Sequence, residues 1–174
     1  MQRRISMLAA GLLAAATVLA SGIASAGTTA ARLPTCMPQG SHYLSVTSGG
    51  VTYYLGTRKT ASSGSPAILK PAQDATTLWT NIACSNGNNL LENRGLVLTS
   101  GSSSPGANVT LKPPGNGGTG FTSQQWFITC SIPGCSAWNF NDVKTALWLQ
   151  IPSSSPVMGQ TVTTGSAPTD WTHS

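Results

Sequence analysis

The chain has 174 residues and a formal net charge of +5, with 40 % hydrophobic but only 7 % charged residues. About a quarter of an ordinary soluble chain is charged. Polarity here comes from Ser, Thr, Asn and Gly, and five tryptophans with so little net charge exclude a disordered chain. The cations are scattered, so the dense basic stripe that nucleic-acid binding needs is missing and nucleic acid is not an expected partner.

Residues 1–26 read as a secretory signal peptide. Arg3 and Arg4 open it, Met7 to Ala20 is an apolar run, and Ala24-Ser25-Ala26 fits a small-x-small cleavage site. The Arg3-Arg4 pair invites a twin-arginine reading, but Ile5-Ser6-Met7 continues it poorly, which favours general secretion. No later stretch has the roughly 18 apolar residues needed to span a bilayer. The expectation is therefore a secreted, extracellular protein with no membrane span. About 148 residues follow from Gly27, the size of one domain, with a net charge of +3.

Nineteen glycines and eleven prolines cut this remainder into short pieces, and no segment keeps a helical period, so the class is all-β. Residues 27–40 read as a loose N-terminal arm. Strands are expected at 42–46 and 51–55 about the Ser48-Gly49-Gly50 turn, then at 67–70 and 78–82. The same order returns at 89–92, 96–99, 109–112 and 125–129, with a flexible run from Pro113 to Gly120. It returns again at 137–140, 146–150, 160–163 and 170–173. Each unit closes on a tryptophan, Trp79, Trp126 and Trp171, at intervals of 47 and 45 residues. A recurring period of this length outweighs any local propensity. It divides residues 41–174 into repeats of about 41–83, 84–134 and 135–174. A piece of four short strands cannot bury its own apolar face, so three such units close on one another around a pseudo-threefold axis.

In that pattern the chain resembles the ricin B-type lectin domain, a β-trefoil with three repeats, a Leu-centred second strand and a closing Gln-x-Trp in each. Gln124-Gln125-Trp126 is a full match; Thr77-Leu78-Trp79 and Thr169-Asp170-Trp171 keep the tryptophan and lose the glutamine. The resemblance implies that Trp79, Trp126 and Trp171 lie in the barrel core. It also implies shallow sugar pockets, one per repeat, each with an Asp after the second-strand Leu, an aromatic late in the third strand and an Asn or Gln. Carried over, the Asp positions are Gly56, Thr99 and Gln150, and the aromatic positions are about Lys70, Lys112 and Gly165. No repeat keeps the full set, so the motifs are degenerate. The candidate carbohydrate-binding residues are Thr99, Asn116 and Gln124 in the second repeat and Gln150 and Asp170 in the third. For Thr99, Asn116 and Gln124 the competing role is to satisfy backbone groups in loops. Trp138 and Trp148 read as core or interface residues.

Four cysteines in an exported chain suggest two disulfides, with three possible connectivities. The Pro-Gly turn inside Cys130–Cys135 favours that pair, leaving Cys36 with Cys84. A zinc site would have to draw on His42 and His173, so no metal and no cofactor is expected. Four scattered carboxylates offer no acid/base pair and the serines no nucleophile elbow, so no catalysis is expected. The reading is a lectin-like protein whose partner is an extracellular glycan or polysaccharide. The alternative is a trefoil without sugar binding that meets a protein as an inhibitor or surface interaction factor, through the Ser/Gly/Pro loops at 56–66, 100–107 and 152–159.

Overall fold

Short runs of Val, Ile, Leu, Thr and aromatic residues, each stopped by Gly, Pro or Asn, set the strands. The computed structural model describes residues 33–174; the expected signal peptide and the first part of the arm lie outside the described residues. Twelve strands follow in order. The first repeat holds β1 (Cys36–Ser48), β2 (Val51–Gly56), β3 (Ile68–Lys70) and β4 (Leu78–Cys84). The second holds β5 (Asn89–Asn93), β6 (Leu96–Thr99), β7 (Thr110–Lys112) and β8 (Trp126–Cys130). The third holds β9 (Ala137–Asp142), β10 (Trp148–Gln150), β11 (Thr163–Gly165) and β12 (Trp171–His173). Two 3-10 turns, Asn116–Gly118 and Thr122–Gln124, interrupt the run between β7 and β8.

The first and fourth strands of each repeat pair antiparallel into a closed ring, β1–β4–β5–β8–β9–β12 and back to β1. Closure removes the free edges that an open sheet would expose. The second and third strands form three hairpins, with Leu55 opposite Leu69, Leu98 opposite Leu111 and Leu149 opposite Thr164. This is a β-trefoil. The three hairpins are tied together by a cycle of backbone hydrogen bonds, in which Ala67 N–H donates to Val109 C=O, Val109 N–H to Val162 C=O and Val162 N–H to Ala67 C=O, each at 2.9 Å. The cycle is the threefold relation written in main-chain atoms.

Trp79, Trp126 and Trp171 are fully buried in one cluster with Leu44, Leu91 and Phe140. A buried indole N–H needs an acceptor, and each repeat supplies the same one. The three Nε1 atoms donate to the carbonyls of Leu55, Leu98 and Leu149 at 2.8, 3.1 and 3.3 Å. The closing tryptophan thus locks onto the second strand of its own repeat, and packing and polar satisfaction come from one side chain.

Most strand ends fall within two residues of the sequence reading, and two boundaries differ by more. β1 starts at Cys36, inside the stretch expected as a loose arm, because Cys36 is bonded to Cys84 and pairs along β4 from Cys36 opposite Cys84 to Tyr43 opposite Leu78. A register shift between Pro38 and Gly40 accommodates the proline, which has no N–H to give to the ladder. In the third repeat β11 lies at Thr163–Gly165 instead of 160–163, the hairpin cycle holding Val162 at the strand's entrance. A second disulfide, Cys130–Cys135, closes the turn between β8 and β9. Among the described residues no helix is long and apolar enough to cross a membrane.

Candidate functional site

The threefold relation defines three equivalent positions where the second strand ends beside the third. Gly56, Thr99 and Gln150 lie opposite Ile68, Thr110 and Thr163. Lys70, Lys112 and Gly165 end the third strands opposite Tyr54, Val97 and Trp148. What surrounds each position differs.

In the second repeat Thr99, Asn116 and Gln124 do come together, but around a loop. Thr99 is 2 % exposed and its hydroxyl donates to Val97 C=O at 3.0 Å. Gln124 is 1 % exposed. Its Oε1 accepts from the N–H groups of Gly115 and Phe121 at 3.0 and 2.9 Å. Its Nε2 donates to Pro113 C=O at 2.9 Å and to Thr99 Oγ1 at 3.5 Å. Asn116, at a left-handed φ of 50°, donates from Nδ2 to Gly120 C=O at 3.0 Å. The loop from Pro113 to Phe121 is folded over this position and held there by Gln124. The side chains of Thr99 and Gln124 are occupied internally by these backbone groups.

In the third repeat the Gln150 side chain lies across Gly165 and occupies the place a Cβ there would take. Asp170 is exposed and accepts from Asn139 Nδ2 at 2.9 Å; that same amide also donates to Thr169 C=O at 2.8 Å. No hydrogen bond joins Gln150 to Asp170 among the described residues, and neither meets the second-repeat trio. The loop at 152–159 leans on the first repeat instead, its Ser154 and Pro156 carbonyls accepting from the hydroxyls of Ser48 and Tyr53 at 2.9 and 2.8 Å.

The first repeat is the open one. Gly56 contributes no side chain, and the Thr77 methyl and Lys70 Cδ pass over it. A cavity of about 520 Å³ opens beside them, lined by Lys59, Lys70, Asp74, Ala75, Thr76 and Arg94. That volume lies in the range of small-molecule sites, roughly 300–1,000 Å³. Lys70 Nζ donates to Asp74 Oδ2 at 2.9 Å and to the Thr76 hydroxyl. The Thr76 hydroxyl and then the Lys70 ammonium hold the Asp74 pKa down, to about 2. Arg94 sits in the Asn93-Arg94-Gly95 turn at a φ of 55°, and its Nη1 donates to Lys59 C=O at 2.6 Å, tying the β5–β6 turn to the β2–β3 loop.

Of these lining residues the sequence reading reached only Lys70, as the occupant of an aromatic position. Lys59, Asp74 and Arg94 come from three separate loops, and only the fold brings them together. The one signal within reach was Lys70 followed four residues later by Asp74, at the expected end of β3.

A second cluster lies where β1, β9 and β12 meet. The half-buried Trp138 stacks on His173, with ring centroids 3.9 Å apart, and meets His42 edge-on at 4.9 Å. Burial, and then the charge of His173 nearby, push the His42 pKa below its ordinary 6.5. Among the described residues no group of three or more His, Cys, Asp or Glu side chains is placed to hold a metal ion.

No protein-family profile matches the sequence, and no curated protein matches it. Solved structures match by fold. A designed three-fold symmetric protein, ThreeFoil, is 22 % identical with a TM-score of 0.65, over 76 % of this chain and 96 % of that one. A Polyporus squamosus lectin bound to a human-type influenza-binding epitope is 17 % identical with a TM-score of 0.58, over 77 % of this chain and 48 % of that one. The agglutinin from Abrus precatorius is 20 % identical with a TM-score of 0.55, over 76 % of this chain and 47 % of that one. This chain thus spans about half the length of those two lectins. The closed six-strand ring, the three hairpins and the three indole locks give this chain the β-trefoil fold that these solved structures share.

Proposed function

We propose that this chain is an exported, non-catalytic carbohydrate-binding protein that takes its glycan at the first repeat. The observation that carries this reading is the contrast among three related positions. One is covered by the Gln124-held loop, one is filled by Gln150, and beside the first, where Thr77 and Lys70 lie over Gly56 itself, a cavity of about 520 Å³ opens with hydroxyl, carboxylate and ammonium groups on its wall. Sugar hydroxyls pair well with such groups, since hydrogen bonds to a charged partner are roughly twice as strong as neutral ones. Support for export comes from the two disulfides, which persist in oxidising compartments. The Polyporus squamosus lectin that shares the fold is bound to a sialylated epitope, which supports the reading by analogy.

The test is a glycan array probed with the secreted protein and with Ala75→Trp, an exposed substitution on the cavity wall. The expected result is a glycan signal for the parent protein that Ala75→Trp abolishes at an unchanged melting temperature. Binding retained in Ala75→Trp would move the site elsewhere on the trefoil. Silence on every glycan would end the reading and favour a protein partner.

A further inference from the structure

The cavity of the first repeat is unusual in charge. Residues 33–174 carry six Lys and Arg side chains, Arg58, Lys59, Lys70, Arg94, Lys112 and Lys144. Three of them line this one cleft, against a single carboxylate, Asp74. A chain with 7 % charged residues has therefore gathered half of its described cations around one concave surface. Asp74 answers only Lys70, in the one ion pair among the described residues. Lys59 and Arg94 have no carboxylate partner there.

The donors left over are of the kind an oxyanion takes. A guanidinium has five N–H groups and an ammonium three. Arg94 gives a bond to Lys59 C=O, which fixes where its planar fork stands, and its side chain has no other acceptor among the described residues. Lys70 gives bonds to Asp74 and Thr76. The Lys59 ammonium gives none among the described residues. Arginine held by its own backbone contact presents a preorganised fork to carboxylate, sulfate or phosphate oxygens, and lysine adds a point charge. A neutral sugar ring would want an aromatic floor instead, and none of the lining residues is aromatic.

We propose that the cleft formed by Lys59, Lys70 and Arg94 is an oxyanion site, and that the oxyanion is the sulfate or carboxylate of an acidic polysaccharide. The polysaccharide source rests on the glycan-binding reading above; the oxyanion chemistry rests on the cleft itself. Asp74 works against the ligand's charge while holding Lys70 in position, so affinity is set by Lys59 and Arg94 and falls as salt screens them.

The experiment titrates the secreted protein, by calorimetry, with a heparin hexasaccharide, an oligogalacturonate, a neutral chitooligosaccharide and inorganic sulfate. The Lys59→Gln/Arg94→Gln double variant runs in parallel, with melting temperatures as the folding control. The expected result is binding of the sulfated or the carboxylated oligosaccharide, weakened about tenfold or more in the double variant, as loss of charge-assisted bonds implies, and weakened again in high salt. The sulfated and carboxylated arms tell the two sources apart. Sulfate bound through Arg94 and Lys59 with no oligosaccharide bound would keep the oxyanion site and remove the glycan reading. Neutral oligosaccharide bound equally by both proteins would overturn the oxyanion proposal and leave the glycan reading standing. No binding in any arm would overturn both. Should the double variant melt early, Arg94→Lys and Lys59→Gln singly replace it, each keeping part of the local contact.

Discussion

Trp126 answers two demands at once, filling the axis of the barrel and giving its indole N–H to Leu98 C=O. Trp126→Ala removes both and costs about 3–5 kcal/mol, read as the shift in a urea or guanidinium midpoint. Gln124 serves its loop in the same double way. Gln124→Ala leaves the Gly115 and Phe121 N–H groups without their acceptor and costs about 1–3 kcal/mol, with faster proteolysis between Pro113 and Phe121 as the local readout. His42 carries a pH dependence of definite sign. Its folded pKa lies below the unfolded value of 6.5, so the fold prefers the neutral ring. The stability tied to that preference is complete above pH 6.5 and is lost as pH falls through the lower folded value. Thermal melts between pH 7.5 and 5 therefore fall more steeply for the parent than for His42→Phe. The tryptophans were legible in the sequence because a large apolar residue returning at intervals of 47 and 45 has few uses besides a shared core. The cleft was not legible, because Lys59, Lys70 and Arg94 follow no period and converge only when two loops and a strand end are folded against each other.

Strand β1 shows how an element can outrun its local sequence. Met37-Pro38-Gln39-Gly40 has poor strand propensity, yet it pairs with β4 because the Cys36–Cys84 bond pins one end and the His42–Val46 run the other. The two disulfides are therefore unequal. The first closes a separation of 48 residues and the second only 5. By chain entropy alone they are worth about 4 and about 2 kcal/mol. Cys36→Ala/Cys84→Ala lowers the melting temperature more than Cys130→Ala/Cys135→Ala does, and it exposes the backbone amides of Cys36, Met37, Gln39 and Gly40 to faster hydrogen exchange. The third repeat makes the related point for hairpins: the repeat spacing suggests a third strand at 160–163, whereas register is set by the partner across the hairpin, which puts Thr164 opposite Leu149.

At the scale of the whole molecule the repeats share a frame while their outer positions differ. The frame is the same three times over, in the indole locks and in the backbone cycle of Ala67, Val109 and Val162. These three amides are expected to be among the slowest to exchange, opening only with global unfolding, and native-state hydrogen exchange across a denaturant series checks it. The outer positions carry a covering loop, a crossing glutamine and a charged cleft, so the three thirds differ at the surface while sharing one interior.

The last strand also has a bearing on how the chain comes to be folded. β12 seats against β1, with Leu44 opposite His173, and the Tyr43 N–H donates to Ser174 C=O at 2.9 Å. The first strand, already paired with β2 and β4, thus waits for β12 before it gains its third neighbour, and Val109 waits for Val162 before its amide is satisfied. A chain growing from its N-terminus has no finished barrel to stop at along the way. Nascent chains cut short before Trp171 are expected to remain open to protease, since the ring closes only once β12 can pair with β1 and β9.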